Sequence, residues 1–114
     1  MERFPVEKWD EWNRLYDLYG SLLTEKQRNV FEMYYQEDLS LGEIAELTGI
    51  SRQGVHEHLR RAEEGLLEFE RQLSLMRRQT ERRRLLQEAM EHCNKADWDA
   101  LQAVLRQLWE MEDA

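Results

Sequence analysis

SLGEIAELTGISRQGVHEHLRR, Ser40–Arg61, is the stretch on which the fold turns. Ser40 followed three residues later by Glu43 is a capping-box pattern that opens a helix. Leu41, Ile44, Ala45 and Leu47 fall on the side of that helix expected to be buried. Gly49 ends it, because glycine adopts the left-handed conformation that turns the chain without a steric penalty. Ser51 then caps a second helix beginning at Arg52. Ala45 is small where two helices must approach, and Ile44, Ile50, Val55 and Leu59 are placed to lock them at a fixed angle. Two short helical patterns joined by Gly49, Ile50 and Ser51 read as a helix-turn-helix. With the apolar set inside, Arg52, Gln53, His56, Arg60 and Arg61 remain outward and form the candidate nucleic-acid-binding set. In units of this kind the N-terminal half of the second helix enters the DNA major groove. Arg52 and Gln53 suit purine edges, and Arg60 suits a phosphate.

Upstream, Trp9, Trp12, Tyr16 and Tyr19 recur at spacings of three and four, predicting a helix over Val6–Tyr19 that Gly20 stops. Thr24 and Gln27 repeat the capping-box pattern and open a second helix, with Val30, Phe31, Tyr34 and Tyr35 on its apolar face and an end near Gln36-Glu37-Asp38. Downstream, Val55, Leu59, Ala62, Leu66, Phe69, Leu73 and Met76 step alternately by four and three, a heptad seam. The seam fails at the polar run 77–84, where continuous helix or a kink is expected because no glycine or proline interrupts it. Apolar residues resume at Leu85, Leu86, Ala89, Met90 and Cys93. His92-Cys93-Asn94-Lys95-Ala96 reads as a turn, and Asp97 can cap a last helix to about Glu110 with Trp98, Leu101, Val104, Leu105, Leu108 and Trp109 on a broad apolar face.

The fold class is therefore all-α: a helical bundle around a helix-turn-helix, with an elongated fourth helix followed by C-terminal helices. The organisation expected is a helix-turn-helix domain over residues 1–62 and a helical extension over 63–114, packing on that domain or on a partner subunit. Three heptads, four tryptophans and a broad last apolar face exceed the needs of one small core. A homodimer is expected, through the seam Leu66-Phe69-Leu73-Met76 or the N-terminal aromatics. The seam packing instead on the chain's own last helix is the competing arrangement.

The chain of 114 residues carries a formal net charge of −8, unusual for a nucleic-acid binder. The charge is uneven. Residues 1–50 hold 5 basic and 11 acidic groups, residues 51–90 hold 9 and 7, and residues 91–114 hold 2 and 6. All nine basic residues of the middle block are arginine, the side chain suited to bidentate contact with phosphate, carboxylate or guanine. No stretch approaches the ~18 apolar residues of a membrane span. Met1-Glu2-Arg3-Phe4-Pro5 lacks the apolar core of a signal peptide. Cys93 has no second cysteine to pair with, so a cytoplasmic location is expected.

An enzyme is not expected. No Gly-rich phosphate loop, metal-ligand spacing or nucleophile elbow occurs. His56 and His58 are two apart on a helix and so point to different faces. His92 beside Cys93 supplies two ligands where a structural zinc needs four. No metal and no cofactor are expected.

The segments Leu39-Ser40-Leu41-Gly42-Glu43-Ile44-Ala45-Glu46 and Gly49-Ile50-Ser51-Arg52-Gln53 resemble region 4 of bacterial sigma factors. Within that class the chain is most similar to the YlxM-like family of helix-turn-helix proteins. The supporting segments are Leu22-Leu23-Thr24-Glu25-Lys26-Gln27, Tyr34-Tyr35-Gln36-Glu37-Asp38-Leu39-Ser40-Leu41 and Ser51-Arg52-Gln53-Gly54-Val55. The resemblance covers roughly residues 12 to 76. It implies a regulatory role in the signal recognition particle pathway, whose genes lie beside those of the family. It also implies as partners the particle's RNA, its GTPase, or both. Two departures stand out. The bulky apolar residue expected directly before Gly49 sits one place earlier, at Leu47, leaving Thr48 there. Gly54, often alanine in relatives, costs ~1 kcal/mol of helix stability; close approach of another backbone would account for it, and so would plain tolerance. A sigma region 4-like DNA-binding regulator is the alternative function, with the net charge and Glu57 in the reading helix against it. An interaction module that no longer reads nucleic acid is the third.

Overall fold

A computed structural model describes residues 6–112, with side chains from residue 8 onward. Every regular element it describes is helical: α1 Val6–Tyr19, α2 Glu25–Tyr35, α3 Leu41–Thr48, α4 Arg52–Leu73, α5 Leu75–Asn94 and α6 Trp98–Glu112, with one 3-10 turn at Gly20–Leu22. The chain divides into two units, residues 1–74 and 75–114.

In the first unit the capping boxes form as the spacing predicts. Thr24 accepts from the Gln27 amide while the Gln27 side chain accepts from the Thr24 amide, and Ser40 and Glu43 do the same at α3. Ser51 accepts from the Gly54 amide at 3.0 Å and starts α4. Gly49 takes the left-handed conformation, φ +76°, between α3 and α4. Thr48 contributes more than a methyl group. Its hydroxyl donates to the Ile44 carbonyl at 2.8 Å and accepts from the Ile50 amide at 3.3 Å, tying the turn to the helix before it.

The core gathers Trp12, Leu15 and Tyr19 of α1, Val30, Phe31, Tyr34 and Tyr35 of α2, Ile44 of α3, and Val55, Leu59, Ala62 and Leu66 of α4. Three tyrosines anchor this aromatic layer through carboxylates. Tyr16 donates to Glu32 and Tyr19 to Glu70, both at 2.7 Å, and Tyr35 donates to the buried Glu63. Trp9 donates its indole N–H to the Tyr35 carbonyl at 2.8 Å, satisfying one of the free carbonyls at the end of α2.

Three expectations need correction. Leu47 is 68 % exposed, so Ile44 alone of the α3 set is fully buried, with Leu41 and Ala45 partly covered. The heptad seam does not run through one helix. Ser74 adopts a left-handed backbone, φ 56°, and ends α4 at Leu73, so Met76 belongs to α5. The seam as far as Leu66, with Trp12 and Tyr19, is consumed inside the first unit and is not available to a partner. Finally, His92 and Cys93 lie within α5, and the turn begins only at Lys95. The polar run 77–84 is continuous helix, as one of the two expected forms.

The second unit is a hairpin of α5 and α6. Asp97 accepts from the Ala100 amide at 3.2 Å as the cap of α6. Leu85, Ala89 and Val104 form its small buried core, with Leu101, Leu108 and Met111 packed around it. Arg78 donates to the Met111 carbonyl at 3.1 Å.

Candidate nucleic-acid interface

The five arginine, glutamine and histidine residues read from the sequence divide into two groups. Arg52 and Gln53 are exposed in the first turn of α4, and His56 is half-buried one turn on. Together with Leu41, the first residue of α3, they line an open groove of about 490 Å³. Nothing acidic lies in the first turn of α4, and among the described residues no carboxylate pairs with Arg52. The groove thus presents a fixed cation, an amide able to donate and accept, an imidazole and one apolar wall.

Arg60 and Arg61 are also exposed, but they are held by their own helix. Arg60 reaches Glu57 through Nη2 at 2.7 Å and through Nε at 3.3 Å, and also pairs with Glu64. Arg61 donates to Glu57 at 3.0 Å. These bonds hold the Glu57 carboxyl below the usual carboxylate range and push the Arg60 guanidinium up. All four side chains are in water, where such pairs are weak and screened by salt. A stronger anion can displace them, but the cluster carries no net charge as it stands. Glu57 as a tether is the feature not drawn from the sequence. Its spacings of three and four to Arg60 and Arg61 are the signal that shows it.

Gly54 is explained by a neighbour in the turn. A Cβ there would stand 2.8 Å from Cγ2 of Ile50, so the close approach comes from a side chain and not from another backbone. Behind α4, Glu63 is buried against Tyr35. Burial pushes the Glu63 carboxyl up, while the Tyr35 hydroxyl and the His56 imidazole act in the opposite direction. Burial and the hydrogen bond to Glu63 both raise the Tyr35 phenol.

Among the described residues no group of three or more His, Cys, Asp or Glu side chains is placed to hold a metal ion. No described helix is long and apolar enough to cross a membrane.

Comparison with known proteins places these features in a family. The model of the family UPF0122, described as "Putative helix-turn-helix protein, YlxM / p13 like", matches residues 6–104. A UPF0122 protein of Geobacillus kaustophilus is 41% identical over 110 residues, covering 94% of this chain and 99% of the relative. A UPF0122 protein of Symbiobacterium thermophilum is 46% identical over 94 residues, covering 82% and 88%. A UPF0122 protein of a Thermoanaerobacter species is 61% identical over 67 residues, which are 59% of this chain but only 57% of that relative's length. The chain belongs to the YlxM / p13-like helix-turn-helix family, UPF0122.

Proposed function

We infer that this chain is a cytoplasmic regulatory accessory of the signal recognition particle pathway, docking through the start of α4 onto the particle's RNA, its GTPase, or both. The observation that carries the docking surface is Arg52, which pairs with no carboxylate among the described residues, set with Gln53 and His56 around an open groove beside Leu41. The assignment to the targeting pathway rests on the family resemblance. RNA is read where bases are splayed from loops and bulges, through stacking and hydrogen bonds to exposed edges. A compact, weakly charged site with one fixed cation suits that task better than a long run of duplex. The acidic remainder of the protein disfavours indiscriminate attachment to nucleic acid, since non-specific affinity comes mainly from phosphate neutralisation.

The second reading, a DNA-binding regulator, is favoured by one observation: Arg52 and Gln53 sit in the part of a helix-turn-helix that enters the major groove. A mobility-shift titration separates the readings. The particle's RNA is compared with a random duplex DNA library, and a pull-down with the particle's GTPase is run beside it. Salt-sensitive retardation of the RNA at micromolar protein, or retention of the GTPase, is expected. Selection of a DNA sequence with no interaction with either particle component favours the regulator. Failure of all three would remove both readings.

A further inference from the structure

The α5–α6 hairpin carries more apolar surface than it buries. Trp98, Leu105 and Trp109 of α6 are 63 %, 51 % and 71 % exposed, and Leu86 and Met90 of α5 are 48 % and 68 % exposed. Against these, three side chains are fully buried. A 40-residue pair of helices with so small a core lies at the lower limit of what folds without further support.

These residues are not scattered. At ~100° per residue, Leu86 and Met90 lie roughly 100° around α5 from the line of Leu85 and Ala89 that faces α6. Trp98, Leu105 and Trp109 lie roughly 100° around α6, in the same sense, from the line of Val104, Leu108 and Met111. The two helices run antiparallel, so equal turns in the same sense bring both stripes to one face of the hairpin.

We propose that this face binds a second copy of the chain, two hairpins closing into a four-helix bundle. The area is sufficient. With ~250 Å² for a whole tryptophan and somewhat less for leucine and methionine, the exposed portions sum to about 700 Å² per chain. Two such faces bury about 1,400 Å², within the range of about 1,200–2,000 Å² for a stable interface. The charges are complementary. Helix α5 holds five arginines and three glutamates, whereas α6 holds Asp99, Glu110 and Glu112 against Arg106. Around a two-fold axis the same patch meets itself, and placing α5 of one copy beside α6 of the other sets basic helix against acidic helix throughout the bundle.

The test is the mass of the full chain by sedimentation equilibrium or light scattering from 1 to 100 µM. Wild type is expected to be a dimer. Trp109→Glu places a charge on the face and is expected to weaken association at least ~100-fold, giving monomer across the range with helix content retained. Met90→Glu, at a position already 68 % exposed, guards against loss of folding in the first variant and is expected to give the same result. Leu47→Glu alters an equally exposed leucine of the first unit and is expected to leave the dimer intact. A wild-type monomer at 100 µM overturns the proposal. So does a dimer that survives both Met90→Glu and Trp109→Glu, or one that Leu47→Glu dissociates.

Discussion

Glu63 sits buried inside the first unit and accepts a hydrogen bond from the Tyr35 hydroxyl. Burial raises its pKa, so the folded state holds the Glu63 proton more tightly than the unfolded chain does. The stability linked to that proton is fully present below the ordinary glutamate value of 4.5 and is lost as the pH rises through the raised value. Glu63→Gln abolishes the titration. Its stability relative to wild type is therefore expected to be more favourable at pH 7 than at pH 4.5, measured by urea unfolding at both values. A relative stability that worsens on going from pH 4.5 to 7 would contradict the assignment. Gly49 offers a second test at this scale. A Cβ there meets nothing within 4 Å, so Gly49→Ala adds only the strain of φ +76°. The expected cost is about 1–2 kcal/mol, seen as a lower urea midpoint.

Within the elements, caps and turns were plain in the residues. Thr24 with Gln27, Ser40 with Glu43, Ser51, Gly49 and Asp97 each act as their spacing predicts, because capping is a local contest among a few backbone groups. Ser74 was hidden, since a serine with positive φ carries no local signal and the apolar period runs on past it. The partner of the seam was hidden too. A stripe stepping by three and four describes one buried face and does not say whether α1 and α2 or another chain covers it. On α4, all five candidate residues are outward or half-outward, but the apolar period says nothing of the carboxylate that Arg60 and Arg61 share, for which the charge spacing from Glu57 is the signal. That sharing gives a prediction. Glu57→Gln frees Arg61 and leaves Arg60 held by Glu64 alone, and it is expected to tighten RNA binding about 3- to 10-fold at low salt with the gain shrinking at high salt, as for exposed charges. A gain that persists at high salt, or no gain, would mean these arginines lie away from the contact.

Across the whole molecule, the opposition is between a chain of net charge −8 and one short turn of α4 that is free of acid. Affinity in such a protein comes from a few placed contacts and little from a general electrostatic field. The logarithm of RNA affinity against the logarithm of salt concentration is accordingly expected to fall with a slope of about −1 to −3, as for one to a few neutralised phosphates. A slope near −10 would require a basic surface that the first unit does not have. The all-helical fold was legible at this scale from the caps and periods alone. The boundary of the two units at Ser74 and the one-sided apolar hairpin were not, because both depend on where Ser74 turns the chain.

The most direct measurement is the equilibrium affinity of wild type, Arg52→Ala and the double variant Arg60→Ala/Arg61→Ala for the particle's RNA, at one fixed low salt concentration. If the start of α4 is the contact surface, Arg52→Ala weakens binding at least ~10-fold, the loss of about 1–3 kcal/mol expected for one specific arginine contact. The double variant, whose arginines are already held by Glu57 and Glu64, changes affinity by less than Arg52→Ala does. Full binding by Arg52→Ala together with a large loss in the double variant would contradict the account and move the interface along the helix.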